Sequence, residues 1–201
     1  MTAAPVIAYP IADRLYLSIT DRCTLACRFC PKTLGSMQVH DYDLSMDHLP
    51  GVDEIIAAMG DISDYSSIVF CGYGEPTLRL KVLLDVAREV KRREGHVRVN
   101  TDGLANLVNK RNVLPEMSGL VDALSVSMNA QNESVYNTHC DPALPESWQA
   151  MLDFLALAPR WVPDVTATAI NGLEGVDLEA CRALARQLGV AFRQRELDRV
   201  G

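Results

Sequence analysis

The chain lacks the features that would direct it to a membrane, an export route or a polyanion. No stretch of its 201 residues approaches the roughly 18 consecutive apolar residues that a membrane-crossing helix needs, so no membrane association is expected. The start Met1-Thr2-Ala3-Ala4-Pro5 has neither the basic opening nor the apolar run of a secretory leader, and the expected compartment is the cytoplasm. Positive charge is in deficit: 19 Lys and Arg stand against 26 Asp and Glu, a net charge of −7. Broad nucleic-acid binding needs the opposite field; a small anion held by a few local arginines is not excluded. Histidine is scarce, and His40, His48, His96 and His139 show no metal-ligand spacing. Internal repeats, low-complexity tracts and long Gly/Ser linkers are missing. Hydrophobic residues make up 48% and charged residues 22%, the balance of one globular domain, expected to run over 1–201.

What is present is a concentration of cysteine. The stretch Cys23-Thr24-Leu25-Ala26-Cys27-Arg28-Phe29-Cys30 has the spacing C-x3-C-x2-C. Three thiols always leave one unpaired, and a reducing compartment favours metal over disulfides. A compact loop can aim three sulfurs at a metal or an iron–sulfur cluster. A [4Fe–4S] cube takes four ligands, so this loop would leave one iron for a ligand that is not protein. A structural zinc site without its fourth ligand, or three unrelated buried cysteines, would give the same spacing. Cys71 and Cys181 read as small core residues.

Apolar periodicity predicts six strand–helix units. Strands are expected at 14–20, 67–71, 96–100, 122–128, 165–170 and 190–193. Helices are expected near 51–60, 78–93, 131–138, 146–158 and 178–188, with a mixed helical segment at 104–119 interrupted by Pro115. Residues 31–50 read as irregular, and Asp41, Asp43 and Asp47 within them as a solvated lid. Such alternation calls for a parallel sheet with helices outside. Several strands set an apolar face against a small or polar one: Val97 and Val99 against His96, Arg98 and Asn100, and Leu124, Val126 and Met128 against Ser125, Ser127 and Asn129. A doubly wound sheet buries both faces. One buried and one wet face fit a curled, open barrel, and six units are too few to close the usual eight-stranded one. The expected fold is α/β, a partial (β/α)6 open TIM-like barrel with parallel strands. Its ligand should sit at the C-terminal strand ends. The cysteine loop follows strand one there, Gly72-Tyr73-Gly74-Glu75-Pro76 follows strand two, Asn100-Thr101-Asp102-Gly103 strand three, and Asn129-Ala130-Gln131-Asn132 strand four.

With those motifs in those places the chain resembles the radical S-adenosylmethionine (SAM) superfamily. The cysteine loop resembles its cluster motif, and Tyr73-Gly74-Glu75-Pro76 resembles its Gly-Gly-Glu-Pro motif, with Tyr73 in place of the first glycine. The phrases Phe70-Cys71-Gly72-Tyr73-Gly74-Glu75-Pro76-Thr77-Leu78-Arg79 and Asp122-Ala123-Leu124-Ser125-Val126-Ser127 are most like the small TatD-associated radical SAM proteins. The resemblance implies a [4Fe–4S] cluster on Cys23, Cys27 and Cys30 and SAM on the fourth iron. Reductive cleavage of SAM would yield a 5′-deoxyadenosyl radical that abstracts hydrogen from a small-molecule substrate. It also implies a low-potential electron donor, a flavodoxin or ferredoxin.

Residue by residue, the resemblance puts Phe29 near the adenine and Gly74 against the methionine end of SAM, with Glu75 orienting the turn. Tyr73 would place a phenol over the site. Asn100 and Ser127, on the polar face by alternation, are candidates for SAM ribose or carboxylate, with Thr168 on the same face. Arg193 is a candidate for a substrate anion or a solvated surface arginine. Cys140, in His139-Cys140-Asp141-Pro142, is either a packed thiol or a catalytic one at the cavity rim. From the length, no accessory cluster domain is expected after the barrel. Alternatives are an enzyme like 7-carboxy-7-deazaguanine synthase, a glycyl-radical activating enzyme, and a non-catalytic metal-binding or redox module.

Overall fold

A computed structural model describes residues 6–197. A seven-stranded sheet carries β1 (Ala8–Ile11), β2 (Arg14–Leu17), β5 (Ser67–Phe70), β6 (Val97–Thr101), β7 (Ala123–Ser127), β8 (Asp164–Asn171) and β9 (Ala191–Glu196) in that spatial order. A two-stranded hairpin, β3 (Gln38–Val39) and β4 (Tyr42–Asp43), stands apart from it. Within the seven-stranded sheet β2 and β5 to β9 are all parallel, and β1 pairs antiparallel with β2.

Spatial order follows chain order throughout. A doubly wound sheet reverses direction partway; with no reversal and right-handed crossovers, the helices fall on one side and the sheet curls around the other. This is the six-unit open barrel the alternation predicts, with a strand the sequence reading omits, β1, covering one edge. Residues 18–20 lie beyond the end of β2 and run into the cysteine loop.

The helices are α1 (Val52–Met59), α2 (Leu80–Arg92), α3 (Ala105–Asn109), α4 (Leu114–Met117), α5 (Glu133–Cys140), α6 (Ser147–Leu157) and α7 (Leu178–Gln187). α2 buries Leu80, Leu83, Leu84, Ala87 and Val90 on one stripe, and Lys91 and Arg92 face its negative C-terminal end. Asn132 and Asp177 cap α5 and α7 by accepting the amides of Val135 and Ala180 at 3.0 Å each. The segment 104–119 is two short helices rather than one interrupted helix. Pro115 helps start α4, where its missing N–H costs nothing.

The convex face carries the main core. Leu15, Leu17, Ile68, Phe70, Val97, Val99, Leu124 and Val126 pack there against the helices and are at most 3% exposed. The concave face is not polar throughout, as expected from alternation. Beside β1 and β2, Tyr9, Tyr16, Val39, Leu44 and Val69 form a second apolar cluster, with the Tyr9 and Tyr16 rings stacked at 5.7 Å and Tyr42 against Tyr9 at 5.4 Å. Residues 31–50 are therefore not all irregular. The hairpin within them lies over this cluster, and the acidic segment is a lid with an apolar underside, Asp43 itself being half-buried in β4.

Candidate active site

The cysteine loop leaves β2 and is held by a distant segment. Ala26 N donates to Cys140 O at 3.1 Å, Arg28 N to His139 O at 2.9 Å, and Ala143 N to Thr24 O at 2.9 Å. Leu25 and Pro142 form an antiparallel bridge. His139 is anchored in turn by Nε2 on Glu174 O at 2.7 Å. The His139-Cys140-Asp141-Pro142 stretch is thus the floor of the loop. Cys140 is fully buried, in hydrogen-bond reach of the Cys27 thiol and of Asn129 Nδ2 at 3.7 Å. It is a packed thiol beneath the loop, not a rim residue.

The turn after β5 is strapped to the same loop. Glu75 N donates to Arg22 O at 2.7 Å. A Cβ on Gly74 would lie 2.1 Å from Thr20 O and 2.8 Å from Arg22 O, and one on Gly72 would lie 2.5 Å from Ser18 Oγ. The close approach that requires glycine at 74 is to the backbone entering the cysteine loop. Glu75 is 4% exposed and its carboxylate is fully used. Oε1 accepts from Thr77 N at 2.9 Å, Thr77 Oγ1 at 2.6 Å and Thr101 Oγ1 at 2.8 Å; Oε2 accepts from Asp102 N at 2.7 Å. Asp102 continues the chain of contacts, its Oδ2 accepting from Thr24 Oγ1 at 3.0 Å and its Oδ1 from Leu104 N at 2.9 Å. Burial, and then the Glu75 carboxylate beside it, raise the Asp102 carboxyl well above the usual range. The loops after β2, β5 and β6 are one hydrogen-bonded unit.

These loops and the concave strand faces enclose a cavity of about 280 Å³. Cys23, Cys27, Cys30, Phe29, Gly74, Glu75, Asn100 and Ser127 all line it, as does Arg193. Thr168 does not line it; it is 1% exposed and its hydroxyl donates to Val126 O at 3.3 Å. Cys71, expected in the core, lines the cavity instead, because it follows Phe70 on the opposite face of β5. Tyr73 also lines the cavity, and its phenol donates to the Gln38 carbonyl, tying the turn to the hairpin. Cys181 is buried as expected.

Among the lining residues that stand outside the candidates drawn from sequence are Asp102, Asn129, Arg98 and Cys71. Asp102 and Asn129 sit in strand-end turns that the motif reading marked as a group. Asn129 takes a left-handed φ of 59°, and its Oδ1 is buried with no hydrogen-bond partner among the described residues.

The residues fit an iron–sulfur cluster with a polar organic ligand. The three thiols line one cavity. A [4Fe–4S] cube takes thiolates at three corners and leaves the fourth iron for the organic ligand. Desolvation of its sulfur, then Asp102 beside it, pushes the Cys23 thiol up to about 12. The Cys27 thiol is raised first by its hydrogen bond with Cys140 and then by burial. Thiols in so negative a setting ionise when a cation joins them. The open Asn129 acceptor suits a ligand that brings amine or hydroxyl donors.

Comparison with known proteins agrees with this geometry. The sequence model of the Radical SAM superfamily matches residues 17–188. A GTP 3',8-cyclase of Limosilactobacillus fermentum is 35% identical over 127 residues, 62% of this chain and 36% of that protein. A tungsten-containing aldehyde ferredoxin oxidoreductase cofactor-modifying protein of Pyrococcus furiosus is 35% identical over 94 residues, 44% of this chain and 23% of that protein. The chain therefore spans about a quarter to a third of the curated relatives it matches. Among solved structures, Streptococcus suis SuiB bound to S-adenosylmethionine superposes with a TM-score of 0.66 at 11% identity, covering 94% of this chain and 42% of that one. Methylornithine synthase (PylB) gives 0.56 at 13% identity, covering 92% and 53%. At these identities the structures speak to the fold.

Proposed function

The chain belongs to the radical SAM superfamily, whose members use a [4Fe–4S] cluster and SAM, and from that premise we propose that it is a radical SAM enzyme acting on a small substrate held in the concave cavity. When bound, the cluster and SAM would supply the one-electron chemistry for hydrogen abstraction. Everything else falls to this chain's own side chains. Cys23, Cys27 and Cys30 would hold the cluster. Gly74 and Glu75 fix the turn beside it, and Asn129 offers an acceptor to the SAM ammonium or ribose. Asn100 and Ser127 supply polar groups to the carboxylate or ribose, and Phe29 packs near the adenine. The β3–β4 hairpin, tied down through Tyr73, covers the apolar end and excludes water. A low-potential flavodoxin or ferredoxin would deliver the electron. The finer likeness to the small TatD-associated proteins rests on the two sequence phrases alone.

The observation that carries the proposal is the continuous link Thr24–Asp102–Glu75, which places the three-cysteine loop and the Gly74-Glu75-Pro76 turn on one cavity. Anaerobic reconstitution with iron and sulfide tests it. The expected result is about four irons and four sulfides per chain and dithionite-dependent formation of 5′-deoxyadenosine and methionine from SAM. Cys27→Ala should abolish both. Binding of one zinc with SAM left intact would refute the reading.

A further inference from the structure

The concave floor holds arginines for which no ion pair is formed among the described residues. Arg98 on β6 and Arg193 and Arg195 on β9 all line the cavity. Arg98 Nε donates to Asn100 Oδ1 at 3.0 Å, and Arg193 Nη2 approaches Ser125 Oγ at 3.4 Å. Asn100 and Ser125 are register partners on neighbouring strands. The two guanidinium groups therefore meet at one place on the floor, reached from strands on opposite sides of β7 and β8. Elsewhere Lys81, Arg88, Lys91, Arg92, Arg93 and Arg111 each pair with a carboxylate. Among the described residues neither Arg98 nor Arg193 forms an ion pair, although acidic residues outnumber basic ones by 26 to 19.

We propose that Arg98 and Arg193, flanked by Asn100 and Ser125, form the binding site for a doubly charged anionic group on the substrate, a phosphate monoester or a dicarboxylate. Guanidinium is the side chain suited to such groups, because its planar fork donates two parallel hydrogen bonds to paired oxygens. Two forks a strand apart, with a hydroxyl and an amide between them, offer more donors than a single carboxylate can use. Burial and repulsion destabilise both cations in the free protein: each holds its proton less tightly because of burial first, then because of a neighbouring arginine, Arg193 for Arg98 and Arg195 for Arg193. A bound anion removes that repulsion. Positive charge at the floor of a cleft raises the local concentration of an anion there.

The inference rests on the proposed radical SAM activity only for the word substrate; the anion site itself is tested without turnover. Inorganic phosphate and succinate are titrated separately, by calorimetry, into the SAM-loaded, cluster-containing protein and into cluster-free protein. One anion should bind at one saturable site in both, and which of the two binds decides between phosphate ester and dicarboxylate. Arg98→Gln and Arg193→Gln should each weaken that anion roughly tenfold or more, as expected for loss of a charge-assisted hydrogen bond. SAM affinity should follow the Cys and Gly74–Glu75 machinery instead. Arg193→Lys, which keeps the charge and loses the fork, should fall between wild type and Arg193→Gln, and thermal melts identify any variant that fails to fold. Absence of binding by both anions, or equal binding by the variants, overturns the proposal. Loss of SAM affinity in place of anion affinity also overturns it and assigns the arginines to the SAM carboxylate. Failure of SAM cleavage with anion binding intact would count against the enzyme reading alone.

Discussion

Glu75→Gln gives the sharpest test of how the site is built. The substitution keeps shape and one acceptor oxygen, so Thr77 N, Thr77 Oγ1 and Thr101 Oγ1 can still be served at Oε1. At the other position an NH2 group replaces Oε2 and faces the Asp102 amide, now 2.7 Å from the oxygen. Two donors meet, and the Asp102 N–H is left buried without an acceptor. An orphaned buried donor costs about 1–3 kcal/mol, and three hydrogen bonds drop from charge-assisted to neutral strength, about 1 kcal/mol each. Against this, a neutral amide is cheaper to bury at a residue 4% exposed and relieves the repulsion on Asp102. The net expectation is a loss of about 2–4 kcal/mol. In a domain of this length each kcal/mol shifts Tm by about 2–4 °C, so Tm should fall by about 5–15 °C. Thermal unfolding of cluster-free protein followed by circular dichroism measures it without any contribution from metal. A Tm within about 2 °C of wild type would refute the claim that Glu75 is the hub joining three loops.

Other outcomes follow from single contacts. Gly74→Ala should be destabilised and poorly reconstituted, since its Cβ would meet backbone atoms of Thr20 and Arg22 that cannot rotate away; iron content after reconstitution checks this. Tyr73→Phe removes the link to the Gln38 carbonyl and should speed amide hydrogen exchange in residues 36–45 while leaving exchange in α2 unchanged. Glu89, beside Arg92 and Arg93, has its carboxyl lowered to about 2, chiefly through its hydrogen bond with Arg92. A depressed folded-state value stabilises above the unfolded value near 4.5 and is lost as pH falls toward 2. The stability gap between wild type and Glu89→Gln should therefore be present at pH 6 and shrink steadily below about pH 4.5. A gap independent of pH would show that the ion pairs do not act in solution.

Much of this molecule could be read without coordinates because the informative signals are local. The C-x3-C-x2-C spacing lies within eight residues. The strand–helix alternation is carried by periods of two and 3.6 residues, and it gave the parallel units β2 and β5 to β9 with boundaries displaced by a few residues. Strand-end position then brought Cys23, Cys27, Cys30, Gly74, Glu75, Asn100 and Ser127 to one cavity.

Tertiary structure decided what depends on pairing between distant segments. β1 and the β3–β4 hairpin are too short to show a period, and their existence rests on partners elsewhere. Gly74 is explained by Thr20 and Arg22, fifty residues away in the chain. Cys71 looked like core because it extends an apolar run, and only the pleat of β5 turns it to the cavity. Cys140 became the support of the cluster loop through its carbonyl, a group every residue has and no side-chain pattern can reveal. Arg98 and Arg193 lie 95 positions apart; the strand register brings them together, and that neither forms an ion pair among the described residues is visible only after folding. Spacing can announce which chemistry a protein carries, because ligand geometry is short-ranged. What surrounds that chemistry, and what charge waits at the floor of the cavity, is set by contacts that exist only after folding.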